Sequence, residues 1–268
     1  MKIGFMQGRL VPSEKKNSIQ YFPSKNWIKE IKIAKENKLN CMEWTANIEN
    51  IKKNPIFQTK KIKKTRSILK KNNIKVVSLT CDFYMQKPSF KSSNPMKEIE
   101  LLKKILINGE NLGIKLFIIP LVDNSSLKNS SEEKKLIEQM IEISKKLKKK
   151  SKILFEIDYP PKKVLRFIRK FPKNFGINYD TGNSASLNYT FHDEKKYFSY
   201  VENIHIKDRK KNGKTVRLGK GNWKFKTFFK HLKKIKYNGN LILQTARSND
   251  NKDLKEILQN KLFIRKYL

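Results

Sequence analysis

The sequence predicts a single (β/α)8 barrel. Short apolar segments typical of buried strands alternate eight times with lysine-rich segments that have apolar residues at helical spacing. The 268 residues are close to the roughly 250 that such a barrel takes. No linker rich in proline or serine interrupts the alternation, so we expect one domain over residues 1–268. A doubly wound open sheet is the alternative, and eight complete units favour closure.

The predicted strands are continuous apolar runs, which is the pattern of parallel strands covered by helices on the outside. In chain order they are 3–6, 39–44, 74–80, 114–120, 152–157, 175–180, 201–207 and 240–245.

The predicted helices have plausible ends. Ser24 is a candidate N-cap for the first, and a proline pair at 160–161 suits the first turn of the fifth. The fourth begins near acidic residues and ends at the lysines 148–150, as the helix dipole favours. The first four predicted helices span about 24–38, 56–72, 95–112 and 130–150. The fifth begins at 160–161, and the last three span about 193–200, 222–236 and 251–266.

The net charge of +37 suggests a nucleic-acid-binding protein, but the composition argues against it. The chain has 53 lysines and only 8 arginines, whereas nucleic-acid sites rely on arginine for bidentate contacts. The 30 isoleucines and 26 asparagines indicate codon bias in an AT-rich genome. We therefore expect no nucleic-acid partner, although so positive a field would attract anionic substrates.

The sequence favours a cytoplasmic protein without a membrane anchor. Its two cysteines, Cys41 and Cys81, lie in apolar runs and have no zinc-ribbon spacing, which suits a reducing compartment. The N-terminus lacks a signal-peptide pattern, and no apolar run approaches the roughly 20 residues of a membrane span. A homo-oligomer is left open.

Four consecutive predicted strands, the fifth to the eighth, end in polar residues. In a parallel barrel these side chains would meet at the C-terminal mouth. Two carboxylates, an imidazole and an amide oxygen would suit a divalent ion such as Mn²⁺, Mg²⁺, Co²⁺ or Zn²⁺. Alternatively, each is a strand-end residue satisfied by the backbone. The four are Glu156, Asp180, His205 and Gln244.

Several segments resemble the xylose isomerase-like TIM barrel superfamily, which contains sugar-phosphate isomerases and epimerases. They are IGFMQGRLVP, CMEW, NYDTGNSASL, NIHIKDR, LGKGNWKFKTFFKHL and LILQTAR, which cover essentially the whole chain. The resemblance implies one metal held at the ends of strands five to eight, on the four residues just named. It also implies a hydroxy-ketone or aldose substrate whose α-proton moves through an enediolate, with Glu156 as the base.

The chain departs from the superfamily at strand eight. Epimerases of this group use glutamates on strands five and eight, whereas Gln244 can ligate through its oxygen but cannot take a proton. A simple two-base epimerisation is therefore in doubt, and a single-base 1,2-isomerisation remains compatible. Glu43 and Asp82, at the mouths of strands two and three, are candidates for an additional acid or base, and hydrogen-bonded or solvated mouth residues are the alternative.

Other polar residues of the predicted mouth loops are candidates for binding substrate. Four of the eight arginines fall in these loops, which favours an anionic group on the substrate. Asn183 stands where the superfamily often has a histidine. The candidates are Gln7, Arg9, Asp82, Asn183, Arg209, Arg217 and Arg247.

The predicted function is a metal-dependent sugar or sugar-phosphate isomerase or epimerase that binds a small-molecule sugar. A dehydratase or other lyase on the same scaffold and a non-catalytic sugar-binding barrel are the alternatives. Endonuclease-like phosphodiester cleavage is disfavoured because its histidine-rich three-zinc cluster cannot be built from three histidines.

Overall fold

The computed structural model describes residues 1–14, 20–248, 250 and 252–268, apart from the side chain of residue 50. Eight parallel strands close into a barrel, which confirms the predicted fold. The barrel is closed because β1 pairs with both β2 and the last barrel strand. The barrel strands are β1 Lys2–Met6, β2 Cys41–Thr45, β3 Lys75–Thr80, β4 Leu116–Leu121, β5 Lys152–Ile157, β6 Phe175–Asp180, β7 Val201–Ile206 and β10 Asn240–Leu243. Between β7 and β10, β8 Asp208–Arg209 and β9 Thr215–Val216 form a short hairpin.

Helices cover the outside of the barrel between successive strands. Among the described residues, no helix is both long and apolar enough to cross a membrane. The α-helices are α1 Trp27–Glu36, α2 Ile62–Lys71, α3 Asp82–Gln86, α4 Pro95–Leu112, α5 Ser130–Ser144, α6 Pro161–Ile168, α7 Thr181–Leu187, α8 Phe191–Glu194, α9 Phe225–Lys234 and α10 Asp253–Arg265.

The predicted start of α1 and the predicted end of α5 are among the helix ends that are wrong. The hydroxyl of Ser24 donates to Glu14 at 2.7 Å and caps nothing, so α1 begins three residues later. α5 ends at Ser144, before the lysines 148–150, because the chain turns there and the backbone N–H of Lys148 donates to Glu110 on α4. The N-terminal end of α5 is capped by Asn129, whose side chain accepts from the N–H of Glu132 at 2.9 Å.

The polar segment after β6 forms the first turn of α7. Asp180 is its N-cap: Oδ1 accepts from the N–H groups of Gly182 at 2.7 Å and Asn183 at 2.9 Å. These contacts fix the direction of the carboxylate, since Oδ1 is held by the first turn of the helix and Oδ2 lies 2.8 Å from Nζ of Lys207.

The side chains of β6 alternate between two environments. Tyr179 points outward and packs 4.8 Å from Phe198 and 5.7 Å from Phe228, measured between ring centroids. Its neighbours Asn178 and Asp180 therefore point into the barrel, as the two-residue period of a strand requires. The apolar layer outside the strands thus holds in place the polar layer inside them.

Candidate metal centre and substrate cavity

Three adjacent strands, β5, β6 and β7, bring two carboxylates and an imidazole close together. Asp180 and His205 are direct partners in the register of β6 and β7, and Glu156 lies near the end of β5 on the other side of β6. One ligand atom of each lies within 4.8 Å of the others. The sequence predicted this convergence, and the closed parallel barrel produces it.

His205 lies between two carboxylates and is fully buried. Its Nε2 is 2.8 Å from Oε1 of Glu43, and its Nδ1 is 3.0 Å from Oε2 of Glu156. Burial alone would lower the pKa of His205, but Glu43 and Glu156 outweigh it and raise the pKa to about 10. The metal-free imidazole is therefore an imidazolium at neutral pH.

Glu156 is held by two amides as well as by His205. Its Oε2 accepts from Asn178 Nδ2 and its Oε1 from Asn183 Nδ2, both at 2.9 Å. Burial would raise the pKa of Glu156, but the charge of His205 outweighs it and holds the pKa below the ordinary value. Glu156 is consequently a carboxylate with both oxygens fixed in direction.

Asp180 shares its free oxygen with a lysine that sequence analysis did not single out. Nζ of Lys207 lies 2.8 Å from Oδ2 of Asp180, and the lysine side chain is 11% exposed. Lys207 follows His205 at the two-residue spacing of β7, so both point to the same side of the barrel wall. The ammonium group thus places a positive charge beside the candidate metal ligands.

Gln244 lies directly after β10, and the nitrogen and oxygen of its side-chain amide differ in their hydrogen bonding. Its Nε2 donates to Oε1 of Gln20. Its Oε1 is buried and has no hydrogen-bond partner in the described part of the chain. Since a buried unpaired amide oxygen is unfavourable, Oε1 is available to a ligand in the cavity.

The residues present fit a divalent cation. Glu156, Asp180 and His205 supply three ligand atoms in one cluster, and Gln244 has an unpaired oxygen lining the same cavity as Glu156. A set of oxygen donors with one imidazole suits Mn²⁺, Mg²⁺, Co²⁺ or Zn²⁺. A cation there would also substitute for the proton that His205 carries between its carboxylates.

Glu43 is placed below the mouth and does not line its cavity. The side chain is fully buried, with Oε1 on His205 and with Oε2 accepting from Ser78 Oγ at 2.6 Å and Asn203 Nδ2 at 3.1 Å. This position does not match the predicted additional acid or base, because three neighbours occupy both oxygens. It matches instead a carboxylate that orients a metal-binding histidine through its far nitrogen.

A cavity of about 1070 Å³ adjoins the cluster at Glu156, the member of the cluster that lines it. Glu156, Gln244 and Lys207 line it on one side, and the predicted residues Asp82, Asn183 and Arg209 line it as well. Asn183 Oδ1 accepts from Arg209 Nη1 at 3.4 Å. Three of the seven predicted substrate-binding residues therefore reach the cavity.

Asp82 is the N-terminal residue of α3, directly above β3. Its Oδ1 accepts from Thr80 Oγ1 at 3.2 Å, and its Oδ2 accepts from Gln20 Nε2. Burial, followed by the charge of Glu156, raises the pKa of Asp82 to about 7. Gln20, which also accepts from Gln244, thus connects the ends of β3 and β10.

The other four predicted substrate-binding residues do not line the cavity. Arg217 is exposed and pairs with Glu256 at 2.5 Å. Arg247 donates to the carbonyl of Gly8 at 2.6 Å and so holds the loop after β1. For both arginines the structure provides protein partners instead of a place beside substrate.

Gln7 and Arg9 are buried in that same loop, at 0% and 2% exposure. Gln7 Oε1 accepts from the N–H of Thr45 at 3.2 Å, and Arg9 donates to the carbonyl of Thr245. Burial, followed by repulsion from Arg247, lowers the pKa of Arg9 to about 9. These contacts tie β1 to its two neighbouring strands.

Sequence analysis missed the amides beneath the cluster. Asn178 and Asn203 are direct partners in the register of β6 and β7, and Asn203 Nδ2 donates to Asn178 Oδ1 at 2.7 Å. Each stands two residues before a predicted ligand, Asp180 or His205, and therefore on the same face. Polar residues at this spacing inside apolar strands were the available signal.

The chain belongs to the xylose isomerase-like TIM barrel family, whose model matches residues 31–267. It is similar in structure to a xylose isomerase domain protein from Planctomyces limnophilus, with 16% identity, a TM-score of 0.77 and 99% and 97% of the two chains covered.

Two other solved structures are similarly close. D-allulose 3-epimerase from Methylomonas sp. has 16% identity and a TM-score of 0.75, with 100% of this chain and 98% of that chain covered. The IOLI protein with a bound zinc atom has 14% identity and a TM-score of 0.75, with 100% and 99% covered. No curated protein sequence matches the chain.

Proposed function

We propose that the protein is a metal-dependent sugar isomerase or epimerase that moves a proton on the carbon next to a carbonyl. The observation that carries the proposal is the cluster of Glu156, Asp180 and His205 beneath an open cavity, with the unpaired oxygen of Gln244 beside it. A sugar epimerase and a zinc-containing protein among the similar structures support it.

Four residues would hold the metal: Glu156, Asp180, His205 and, through Oε1, Gln244. A bound divalent ion would polarise the carbonyl and hydroxyl oxygens of a sugar and make the α-proton more acidic. Glu43 would keep a proton on Nε2 of His205, so that Nδ1 faces the ion.

Glu156 is the base in this proposal. Its carboxylate is ionised at neutral pH, lines the cavity and is held in direction by Asn178 and Asn183. A positioned carboxylate of this kind contributes about 10²- to 10⁴-fold to the rate of proton transfer. Lys207 and Arg209 would favour substrates with negative charge on the oxygens near them.

The experiment is proton exchange in D₂O with the Mn²⁺-loaded protein and a panel of ketoses and ketose phosphates. Deuterium appearing at the carbon next to the carbonyl is the expected result, and Glu156→Gln should abolish it. The absence of both metal uptake and exchange in the wild-type protein would instead favour a non-catalytic sugar-binding barrel. Loss of water from the same substrates would favour a dehydratase.

A further inference from the structure

The cavity has one buried acid outside the metal cluster. Three acids line it from the half of the barrel formed by β1 to β4: Glu49, Asp82 and Asp123. Glu49 and Asp123 are exposed, whereas Asp82 is 9% exposed. Among the described acids of this half that line the cavity, Asp82 is therefore the one whose carboxyl lies in a water-poor environment.

The topology places Asp82 across the cavity from the ligands. β5, β6, β7 and β10 are consecutive around the barrel and carry the four candidate ligands. Asp82 follows β3, which lies directly across the barrel from β7, the strand of His205, and two strands from β5, the strand of Glu156. A sugar held by a metal on the first half would therefore be approached by Glu156 and by Asp82 from different directions.

The contacts of Asp82 leave it able to reach a substrate. Thr80 and Gln20 each donate one hydrogen bond to it, and neither is a cation. Gln20 also accepts from Gln244, so it connects Asp82 to the position at which the chain lacks a carboxylate. A carboxyl that is buried, that has no ion-pair partner among the described residues and that lines the cavity suits proton donation as well as proton acceptance.

We propose, on the basis of the proposed function, that Asp82 is the second catalytic acid/base and replaces the carboxylate that Gln244 cannot supply. Glu156 removes the α-proton, and the electron pair of the broken C–H bond enters the C=C bond of the enediolate. Asp82 in its acid form then donates its proton to the opposite face of the same carbon, forms the new C–H bond and becomes a carboxylate. The net result is an epimer, with one proton moved from Asp82 to Glu156 and returned through solvent.

The test compares two readouts of the full-length Mn²⁺-loaded protein with D-fructose and D-psicose in D₂O. One is deuterium in the recovered substrate, which needs only Glu156, and the other is formation of the epimer, which needs both groups. Asp82→Asn should keep the exchange and lower epimer formation by about 10²-fold or more. Glu156→Gln should abolish both.

Two further variants serve as controls. Asp158→Asn makes the same change at a half-buried aspartate that accepts from Ser126 and does not line the cavity, and it should behave as wild type. Asp82→Glu keeps a carboxylate at the position and should form epimer about tenfold faster than Asp82→Asn, which separates loss of folding from loss of proton transfer.

Epimer formation by Asp82→Asn at the wild-type rate would overturn the inference, as would an equal loss of exchange and product in that variant. Failure of the proposed function looks different. In that case the wild-type protein, with metal bound, neither exchanges the proton nor converts either sugar, and the inference falls with it.

Discussion

Nε2 of His205 lies 2.8 Å from Oε1 of Glu43, and both side chains are fully buried inside the barrel. The two residues come from strands on different sides of the barrel, β7 and β2, so the contact spans its interior. A buried imidazole bound in this way has one nitrogen committed to the protein and one, Nδ1, turned toward Glu156 and Asp180.

Replacing Glu43 with glutamine should weaken metal binding by about 10- to 100-fold, because the carboxylate no longer orients His205. Isothermal titration with Mn²⁺ or Zn²⁺ measures the change. Glu133→Gln is the control, since Glu133 pairs with Lys170 away from the cavity and should leave the affinity unchanged. Equal metal affinity in wild type and Glu43→Gln would contradict this role.

The free energy of unfolding of the metal-free protein should decrease between about pH 6.5 and pH 10. The pKa of His205 is about 10 in the folded protein, above its ordinary 6.5. The imidazolium therefore stabilises the fold fully below pH 6.5, and this contribution is lost as the pH rises through 10. Urea denaturation measures the trend in wild type and in His205→Gln. A decrease equally steep in the variant would assign it to other groups, such as the lysines.

Replacing Gln244 with glutamate should destabilise the metal-free protein by about 1–3 kcal/mol, because two acceptors would then face each other where Gln244 now donates to Gln20. Divalent metal should recover the loss, since a carboxylate is a better ligand than an amide oxygen. Thermal denaturation with and without Mn²⁺ tests both parts. Gln58→Glu, at an exposed amide, should change stability by less than about 0.5 kcal/mol.

Gly182→Ala should destabilise the protein by about 1–3 kcal/mol through Lys207. A Cβ at Gly182 would lie 2.7 Å from Cγ of Lys207, so the lysine would have to move from Asp180. A Cβ at Gly182 would also lie 2.9 Å from Cβ of Lys207, so the double-mutant cycle uses Lys207→Gly, which removes that atom as well. In denaturation experiments the Gly182→Ala substitution should cost much less in the Lys207→Gly background, and an unchanged cost would place the strain elsewhere.

The sequence was informative about features that depend on single strands, namely the strand positions and the residues at the strand ends. Apolar runs located the barrel strands to within about two residues, and the parallel topology then brought Glu156, Asp180 and His205 together. This follows because every strand of such a barrel has its C-terminal end at the same mouth. Residues at those ends are predicted neighbours even when they are far apart in the chain.

The sequence was less informative about how deep a side chain lies in the barrel and about which residues the loops pack against. Glu43 lies within β2 and Asp82 lies just after β3, in apolar runs of similar appearance, yet the first contacts His205 inside the barrel and the second lines the cavity. The register between neighbouring strands sets that depth, and local patterns do not contain it. Likewise Arg217 and Arg247 were expected beside substrate, but the acids and carbonyls that hold them come from distant segments.

The amide pair Asn178 and Asn203 has a consequence for the fate of a proton taken by Glu156. Amides neither gain nor lose protons at ordinary pH. Glu43 lies beneath the amide pair, and its Oε2 accepts from Asn203 and from Ser78, a fully buried hydroxyl. The interior of the barrel therefore insulates the site against proton leakage downward. A proton removed from a substrate returns to it or escapes through the cavity, so the residence time of the bound sugar would determine how much isotope is exchanged with water.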